Sequence, residues 1–138
     1  MNKQTRNIIN VSLTLVAIYL YSFTANNIET EILGFNSFKF LITIAVLIQF
    51  LIFLPSFIFK TEKFYDLTGS LTYISVTSIA YFSLDNPTTT DTILFLYVVI
   101  WAGRLGIFLF RRINKVGKDV RFDKAKKKFF WFLQYWMG

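Results

Sequence analysis

Apolar residues are gathered into four long runs, with short polar segments between them. The runs cover residues 8–23, 38–59, 67–84 and 92–110. The second run contains 22 residues. As a helix it would extend roughly 33 Å, which exceeds a hydrocarbon core of about 30 Å. The pattern therefore predicts an all-α fold, a polytopic transmembrane bundle with four crossings.

The third run is the least hydrophobic because small and hydroxylated residues interrupt it. These residues are Thr68, Gly69, Ser70, Thr72, Ser75, Thr77 and Ser78. Small residues let helix backbones approach closely, and hydroxyl groups form hydrogen bonds between helices. This composition indicates an interior helix that packs between neighbours.

Two interpretations fit the first run. Lys3 and Arg6, followed by an apolar stretch and Thr24-Ala25, resemble a cleaved signal peptide. The run is longer than the usual signal core of about 7–15 residues, however, and no small-x-small cleavage site follows it. We therefore favour an uncleaved first helix.

The carboxyl end carries a mostly aromatic stretch, residues 129–137, after a basic segment. This stretch could form an interfacial helix anchored by lysines, or it could begin a fifth crossing whose remainder is absent. Aromatic side chains occupy nearly every position and not one face only, which favours the fifth crossing. We expect residues 1–138 to form one integral-membrane domain, the amino-terminal half of a larger one.

Basic residues are divided unevenly between the two predicted sides of the membrane. One side holds Lys3, Arg6, Lys60, Lys63 and the nine Lys and Arg residues between positions 111 and 128, and the other side holds Lys39 alone. Loops rich in Lys and Arg remain in the cytoplasm. The distribution predicts a cytoplasmic amino terminus and a location in the inner (cytoplasmic) membrane.

The composition supports this location and excludes several kinds of chemistry. Hydrophobic residues make up 54% of the chain and the mean hydropathy is +0.49, so the expected surroundings are the lipid bilayer. The chain has no Cys and no His, which excludes disulfides, histidine metal sites and His-based triads, and no metal is expected. Nucleic acid is not expected either, because the basic residues form a short segment beside the membrane.

Arg104 lies inside the fourth apolar run, and no acidic residue occurs within ten positions of it. An arginine at the centre of a bilayer costs about 2.5–3.5 kcal/mol on insertion scales, so it usually faces a cavity, a ligand or the protein interior. Its side chain could alternatively snorkel toward the cytoplasmic end of the helix. Gly103 and Gly106 would admit another helix or a ligand beside it. Arg104 is therefore the first candidate for a functional residue.

Arginine recurs at Arg111, Arg112 and Arg121, whereas the densest charge cluster, residues 126–128, is lysine. A planar guanidinium can bind phosphate through two parallel hydrogen bonds, which a lysine cannot do. Attraction to anionic headgroups explains runs of lysine but explains this pattern less well. The arrangement predicts a phosphate-bearing ligand at the cytoplasmic face.

Asp66 and Asp119 are the acidic candidates. Asp66 directly precedes the third run, where a carboxylate would stabilise the start of a helix or, alternatively, lie at the mouth of a cavity. We expect both carboxylates to orient the arginines.

Three blocks carry a family resemblance. They are EKFYDLTGSLTY at 62–73, WAGRLGIFLFRRI at 101–113 and GKDVRFD at 117–123. In this order they resemble the amino-terminal half of the bacterial domain of unknown function 1295 family, which belongs with the membrane-embedded steroid 5-alpha-reductases.

The resemblance implies an enzyme that uses NADPH, bound at the cytoplasmic side of a cavity in the bundle, to reduce a carbon–carbon double bond. The implied substrate is apolar and lipid-like, of steroid or isoprenoid type. Trp101 and Arg104 match a family contact to the nicotinamide nucleotide, and the block around Asp119 matches a loop that faces the cofactor. The expected cofactor contacts are Asp66, Arg104, Arg111, Arg112, Asp119 and Arg121.

The chain also departs from the steroid reductases. Phe53 precedes Leu54-Pro55-Ser56-Phe57 where those enzymes place a catalytic Glu, and Trp101 replaces a partner Tyr. The family's second half has no counterpart here, so no catalytic acid is named and the expected activity belongs to the intact protein. The alternative is a non-catalytic scaffold or subunit that binds anionic lipid through its basic cytoplasmic segment.

The charge distribution predicts the side on which each loop lies. A reporter fused after Lys128 should read as cytoplasmic, and one placed near Asp85 should read as external, because the basic loops stay inside. An external reading after Lys128 would mean that one predicted span, most simply 67–84, does not cross, and the four-crossing bundle would be wrong.

Overall fold

The computed structural model describes residues 3–24, 31–120 and 122–137. Five α-helices lie in this part of the chain: α1 (Lys3–Thr24), α2 (Ser37–Ile58), α3 (Tyr65–Phe82), α4 (Thr89–Val116) and α5 (Phe129–Met137). A 3-10 turn, Ala125–Lys127, leads into α5. A short antiparallel hairpin, β1 (Glu31–Ile32) paired with β2 (Phe35–Asn36), precedes α2 and was not predicted.

Each of the four apolar runs lies on one helix, which confirms a mostly helical fold. Among the described residues, two helices are long and apolar enough to cross a membrane. The most apolar 18-residue window has a mean hydropathy of 2.5 in α2 and of 2.2 in α4. Only 11% of each window is buried inside the protein, whereas the core helix of a soluble protein is mostly buried. That α1 and α3 also cross a membrane, and hence the total of four crossings, stays a prediction.

The capping residues explain where α4 begins and ends. Thr88 accepts a hydrogen bond from the backbone of Asp91, and the Asp91 carboxylate accepts one from the backbone N–H of Thr88 at 2.8 Å, which forms a capping box. The helix ends at Gly117, whose φ of 89° suits a residue without a Cβ atom. The helix thus continues six residues beyond the end of the apolar run at residue 110, because Arg and Lys prolong a helix well and the glycine stops it.

The interior position predicted for α3 is correct, because it packs against α2 on one side and α4 on the other. The Gln49 side chain of α2 donates a hydrogen bond to the Thr72 hydroxyl at 3.3 Å. The hydroxyl groups of Tyr81 and Thr92 lie 3.0 Å apart and join α3 to α4. Hydroxylated residues thus connect the helices, as expected for a packed interior helix.

The closest approach of α3 and α4 lies at Gly106. A Cβ atom there would lie 2.6 Å from both Cβ and Oγ of Ser70, whereas a Cβ at Gly103 would meet nothing within 4 Å. The expectation that a glycine beside Arg104 admits a neighbouring helix is therefore confirmed for Gly106, and Gly103 has no such role toward the described residues.

The aromatic core lies near α5, which packs against α1 and α2. Its members are Val11, Phe53, Phe122, Ala125, Phe132, Leu133 and Trp136. Phe53 is fully buried, and its ring centroid lies 5.5 Å from that of Phe132 and 5.8 Å from that of Trp136. Within α5, burial is concentrated on Phe132, Leu133 and Trp136, which is the one-sided pattern of the interfacial alternative. A fifth crossing stays a prediction.

The contact at Gly106 leads to a stability test. Gly106→Ala should destabilise the protein by about 1–3 kcal/mol, the usual cost of overpacking, and should lower the melting temperature measured in detergent. Gly103→Ala is the matched control, and it should leave that temperature unchanged or raised because alanine favours helices.

A second substitution tests the cause. Ser70→Gly removes both atoms that the new methyl group would meet, so combining it with Gly106→Ala should recover part of the loss. Equal melting temperatures for the two single alanine variants would contradict the close approach.

Candidate functional site

The buried face of α4 decides where its basic residues point. Ala102, Gly106 and Ile113 are buried, and the helical period places them on one face. At about 100° per residue, Arg104, Arg111 and Lys115 lie within about 40° of one another on the opposite face. All three are exposed. Arg112 lies beside them, and we call these four residues the cationic face.

An open cavity of about 570 Å³ covers the cationic face. Its lining consists of Arg104, Ile107, Phe108, Arg111, Arg112 and Lys115. The positive charges extend along roughly 16 Å of helix at about 1.5 Å per residue. None of the described lining residues is acidic, so the cavity suits an elongated ligand with several negative charges and some apolar surface.

The structure brings three of the predicted site residues together and separates two others from them. Arg104, Arg111 and Arg112 share the cavity, whereas Asp66 and Asp119 do not line it. Arg121 lies outside the described residues. Among the described residues, no ion pair joins Asp66 to any of the three arginines.

Asp66 occupies the first turn of α3. Phe64 is the N-cap residue, and no side chain caps this helix through a hydrogen bond. The carboxylate therefore contributes to α3 through its favourable interaction with the helix dipole. This agrees with the helix-start interpretation of Asp66 and not with a position in the cavity.

Glu62 does not line the cavity, but it is a buried charged residue that the sequence analysis did not single out. It is only 5% exposed. Its Oε2 atom lies 2.7 Å from Nζ of Lys126, and its Oε1 atom accepts a hydrogen bond of 2.8 Å from the backbone N–H of Asp119. The interpretation of Asp119 as a residue that orients arginines overlooked this contact. No sequence signal links Glu62 to a lysine 64 positions later, although both lie in basic loops predicted on the same side.

The contacts of Glu62 extend into a network that we call the anchor network. Asp123 lies 3.5 Å from Lys126 and 3.4 Å from Lys118. Glu62 and Asp123 thus hold two lysines of the basic segment 117–128. This segment is consequently fixed beside the start of α3, just after α4 ends, and part of its positive charge is neutralised internally.

Aromatic contacts support the same region. The Tyr65 ring lies 5.1 Å from that of Phe122 and 5.3 Å from that of Trp136, measured between centroids. Trp101, one turn before Arg104, is half exposed and makes an edge contact with Tyr73 at 5.4 Å. Trp101 does not line the cavity.

Comparison with known proteins identifies a family. A family model described as protein of unknown function (DUF1295) matches residues 52–137. The matched region contains Glu62, all of α3 and α4, the basic segment and α5. No curated protein and no solved structure matches the chain.

The anchor network leads to a prediction about segment 117–128. Glu62→Ala should increase hydrogen exchange in this segment, including the Asp119 amide, by about 100-fold, because removing one partner of a buried pair costs about 3 kcal/mol or more. Glu62→Gln should have a smaller effect because it keeps an acceptor for that amide.

The matched control is Lys118→Gln, which breaks an ion pair whose side chains are 66% and 33% exposed. Such pairs contribute about 0–1 kcal/mol, so exchange should rise by less than about fivefold. Equal protection in wild type and Glu62→Ala, measured by mass spectrometry, would show that Glu62 does not hold the segment.

Proposed function

The chain belongs to the DUF1295 family, and we propose that it serves a membrane-embedded reductase that uses NADPH to reduce a carbon–carbon double bond. The proposed substrate is apolar and lipid-like, of the steroid or isoprenoid type. The observation that carries the proposal is the cationic face, because it concentrates three arginines and a lysine in one cavity on an apolar helix.

The cavity fits the anionic part of NADPH. This cofactor carries a pyrophosphate and a separate phosphate, so it presents negative charge at more than one point along its length. Three guanidinium groups distributed along about 12 Å of helix can bind such charges through paired hydrogen bonds. Arg104, Arg111, Arg112 and Lys115 are the residues that would hold it.

The position of the cavity on α4 fits an apolar substrate. The helix has 28 residues, or about 42 Å at 1.5 Å per residue, which exceeds the hydrocarbon core by roughly 12 Å. Arg104 is nearer the middle of the helix, while Arg111, Arg112 and Lys115 lie in its last turns. The cationic face thus extends from the apolar part of the helix toward its polar end, where an aqueous cofactor and a membrane-dissolved substrate can meet.

This placement gives the cofactor and the protein residues different roles. When bound, NADPH would supply a hydride to one carbon of the double bond, and a side chain or water would supply the proton to the other carbon. The arginines bind and orient the anionic groups, and Ile107 and Phe108 add apolar surface to the cavity wall. The anchor network keeps segment 117–128 beside the cytoplasmic end that we propose for α4.

The non-catalytic alternative assigns the basic segment to anionic lipid. Two of its lysines, Lys118 and Lys126, are already engaged by Asp123 and Glu62. The cationic face, in contrast, has no acidic residue among its described lining. This difference favours a ligand on α4 over lipid binding by the segment.

Titration with NADPH tests the proposal. Arg104→Leu should weaken binding by roughly 10- to 150-fold, because the loss of a charge-assisted hydrogen bond costs about 1.5–3 kcal/mol. Arg104→Lys should recover part of the affinity, since lysine keeps the charge but not the planar fork. Isothermal calorimetry on the intact purified protein gives these affinities.

Arg6→Leu is the matched control, because Arg6 is an exposed arginine on α1 that does not line the cavity. Its affinity should equal that of the wild type. If Arg104→Leu also bound NADPH with wild-type affinity, the assignment of the cationic face would be wrong. If the wild type itself bound none, the proposed function would fall.

A further inference from the structure

A second groove lies between α1 and α2, at the end of the bundle where α1 ends and α2 begins. Its volume is about 480 Å³. Its lining residues lie between Leu15 and Phe23 on α1 and between Lys39 and Leu47 on α2. They follow helical spacing on both helices, so the groove extends for roughly 12 Å along each at about 1.5 Å per residue.

The groove offers apolar surface and one charge. The Ser22 hydroxyl donates to the carbonyl of Tyr19 at 2.6 Å, and the Thr43 hydroxyl donates to the carbonyl of Lys39 at 2.7 Å. Both hydroxyl protons are thus used inside their own helices. Lys39 is the only charged residue among the described lining.

Lys39 lies at one end of the groove, in the first turn of α2. Its Nζ atom lies 5.0 Å from the centre of the Phe23 ring, and among the described residues it forms no ion pair. The first turn of α2 contains no acidic residue. A cation in the first turn of a helix is disfavoured by the helix dipole, so an anion at this position would relieve an unfavourable charge.

We propose that the α1–α2 groove binds one anionic membrane lipid, with an acyl chain along the groove and the headgroup on Lys39. The long apolar walls match an acyl chain, and the single ammonium group at one end matches a headgroup phosphate. Tyr19 and Phe23 add the aromatic surface that is typical of the membrane interface.

This lipid site is independent of the proposed cofactor site. Antiparallel packing of α2, α3 and α4 places the start of α2 at the same end as the α3–α4 connection, 83–88, as the Gln49–Thr72 and Tyr81–Thr92 hydrogen bonds indicate. The anchor network and Arg111, Arg112 and Lys115 lie at the other end of the bundle. Loss of one site should therefore leave the other intact.

Native mass spectrometry of the intact protein, released from nanodiscs that contain phosphatidylglycerol and phosphatidylcholine, tests the site. The wild type should retain one phosphatidylglycerol in preference to phosphatidylcholine. Lys39→Gln should lower this preference about fivefold, since a basic residue near an anionic surface contributes about 1 kcal/mol. Lys39→Arg should preserve it.

Lys60→Gln is the matched control, because Lys60 lies two residues beyond the other end of α2 and does not line the groove. Its lipid retention should equal that of the wild type. Val46→Trp should fill the groove and reduce retention while leaving Lys39 in place. Equal retention in Lys39→Gln and the wild type, or equal retention of the two lipids by the wild type, would overturn the proposal.

Two further measurements distinguish loss of the lipid site from misfolding, and lipid binding from the binding of phosphate alone. Each variant should keep the wild-type circular dichroism spectrum and, if the proposed function holds, the wild-type NADPH affinity. A loss of lipid retention with both unchanged would then show that the lipid site is lost and that the protein is still folded. Excess inorganic phosphate should not displace the lipid, because the apolar groove contributes to binding. Displacement by phosphate would show that only the headgroup binds, and would contradict the acyl-chain assignment.

Discussion

Gly106 and Ser70 lie so close that the smallest side chain at position 106 would come within 2.6 Å of the serine. This contact fixes the rotation of α4 about its own axis, because the face with Ala102, Gly106 and Ile113 must point to α3. Once that face is buried, the helical period leaves Arg104, Arg111 and Lys115 on the opposite side. The position of the candidate site is therefore a consequence of helix packing by small residues.

The buried ion pair has a different role from that of the α3–α4 contact. Taking Glu62 and Lys126 out of water is expensive, and an apolar pair of similar size often stabilises a fold equally well. What the pair provides here is a defined position. Glu62 accepts one contact from the Asp119 backbone and one from the Lys126 side chain, so a single carboxylate holds two points of the basic segment. The neighbouring Tyr65–Phe122 contact adds apolar packing to the same junction.

The sequence predicted the helices well because their signals are local. Long apolar runs, the hydroxylated third run and a glycine beside Arg104 all depend on residues a few positions apart. The apolar run on α4 ends at residue 110, whereas the helix continues to Val116, because Arg and Lys are good helix formers and Gly117 is the stop. The end of a helix and the end of a hydrophobic run can thus lie at different positions along the chain.

The candidate site was predictable only in part. The arginines on α4 share one helix, so their common face follows from spacing alone. Asp66 was grouped with them as a residue at the mouth of a cavity and Asp119 through the family resemblance, but neither lines the cavity on the cationic face. Glu62 was missed because its partners are 57 and 64 positions later, and only tertiary structure joins them.

The exposed cationic face constrains what can surround α4. A guanidinium near the middle of an apolar helix is costly in contact with lipid chains, by about 2.5–3.5 kcal/mol at the bilayer centre. Arg111, Arg112 and Lys115 lie beyond the end of the apolar run at residue 110 and can reach the polar end of the helix. Arg104 lies six residues before that limit, or about 9 Å at 1.5 Å per residue, a distance over which a long side chain can snorkel. The charge of Arg104 is therefore stabilised either by a polar partner in the cavity, whether a ligand, water or protein, or by the reach of its own side chain toward the polar end of the helix.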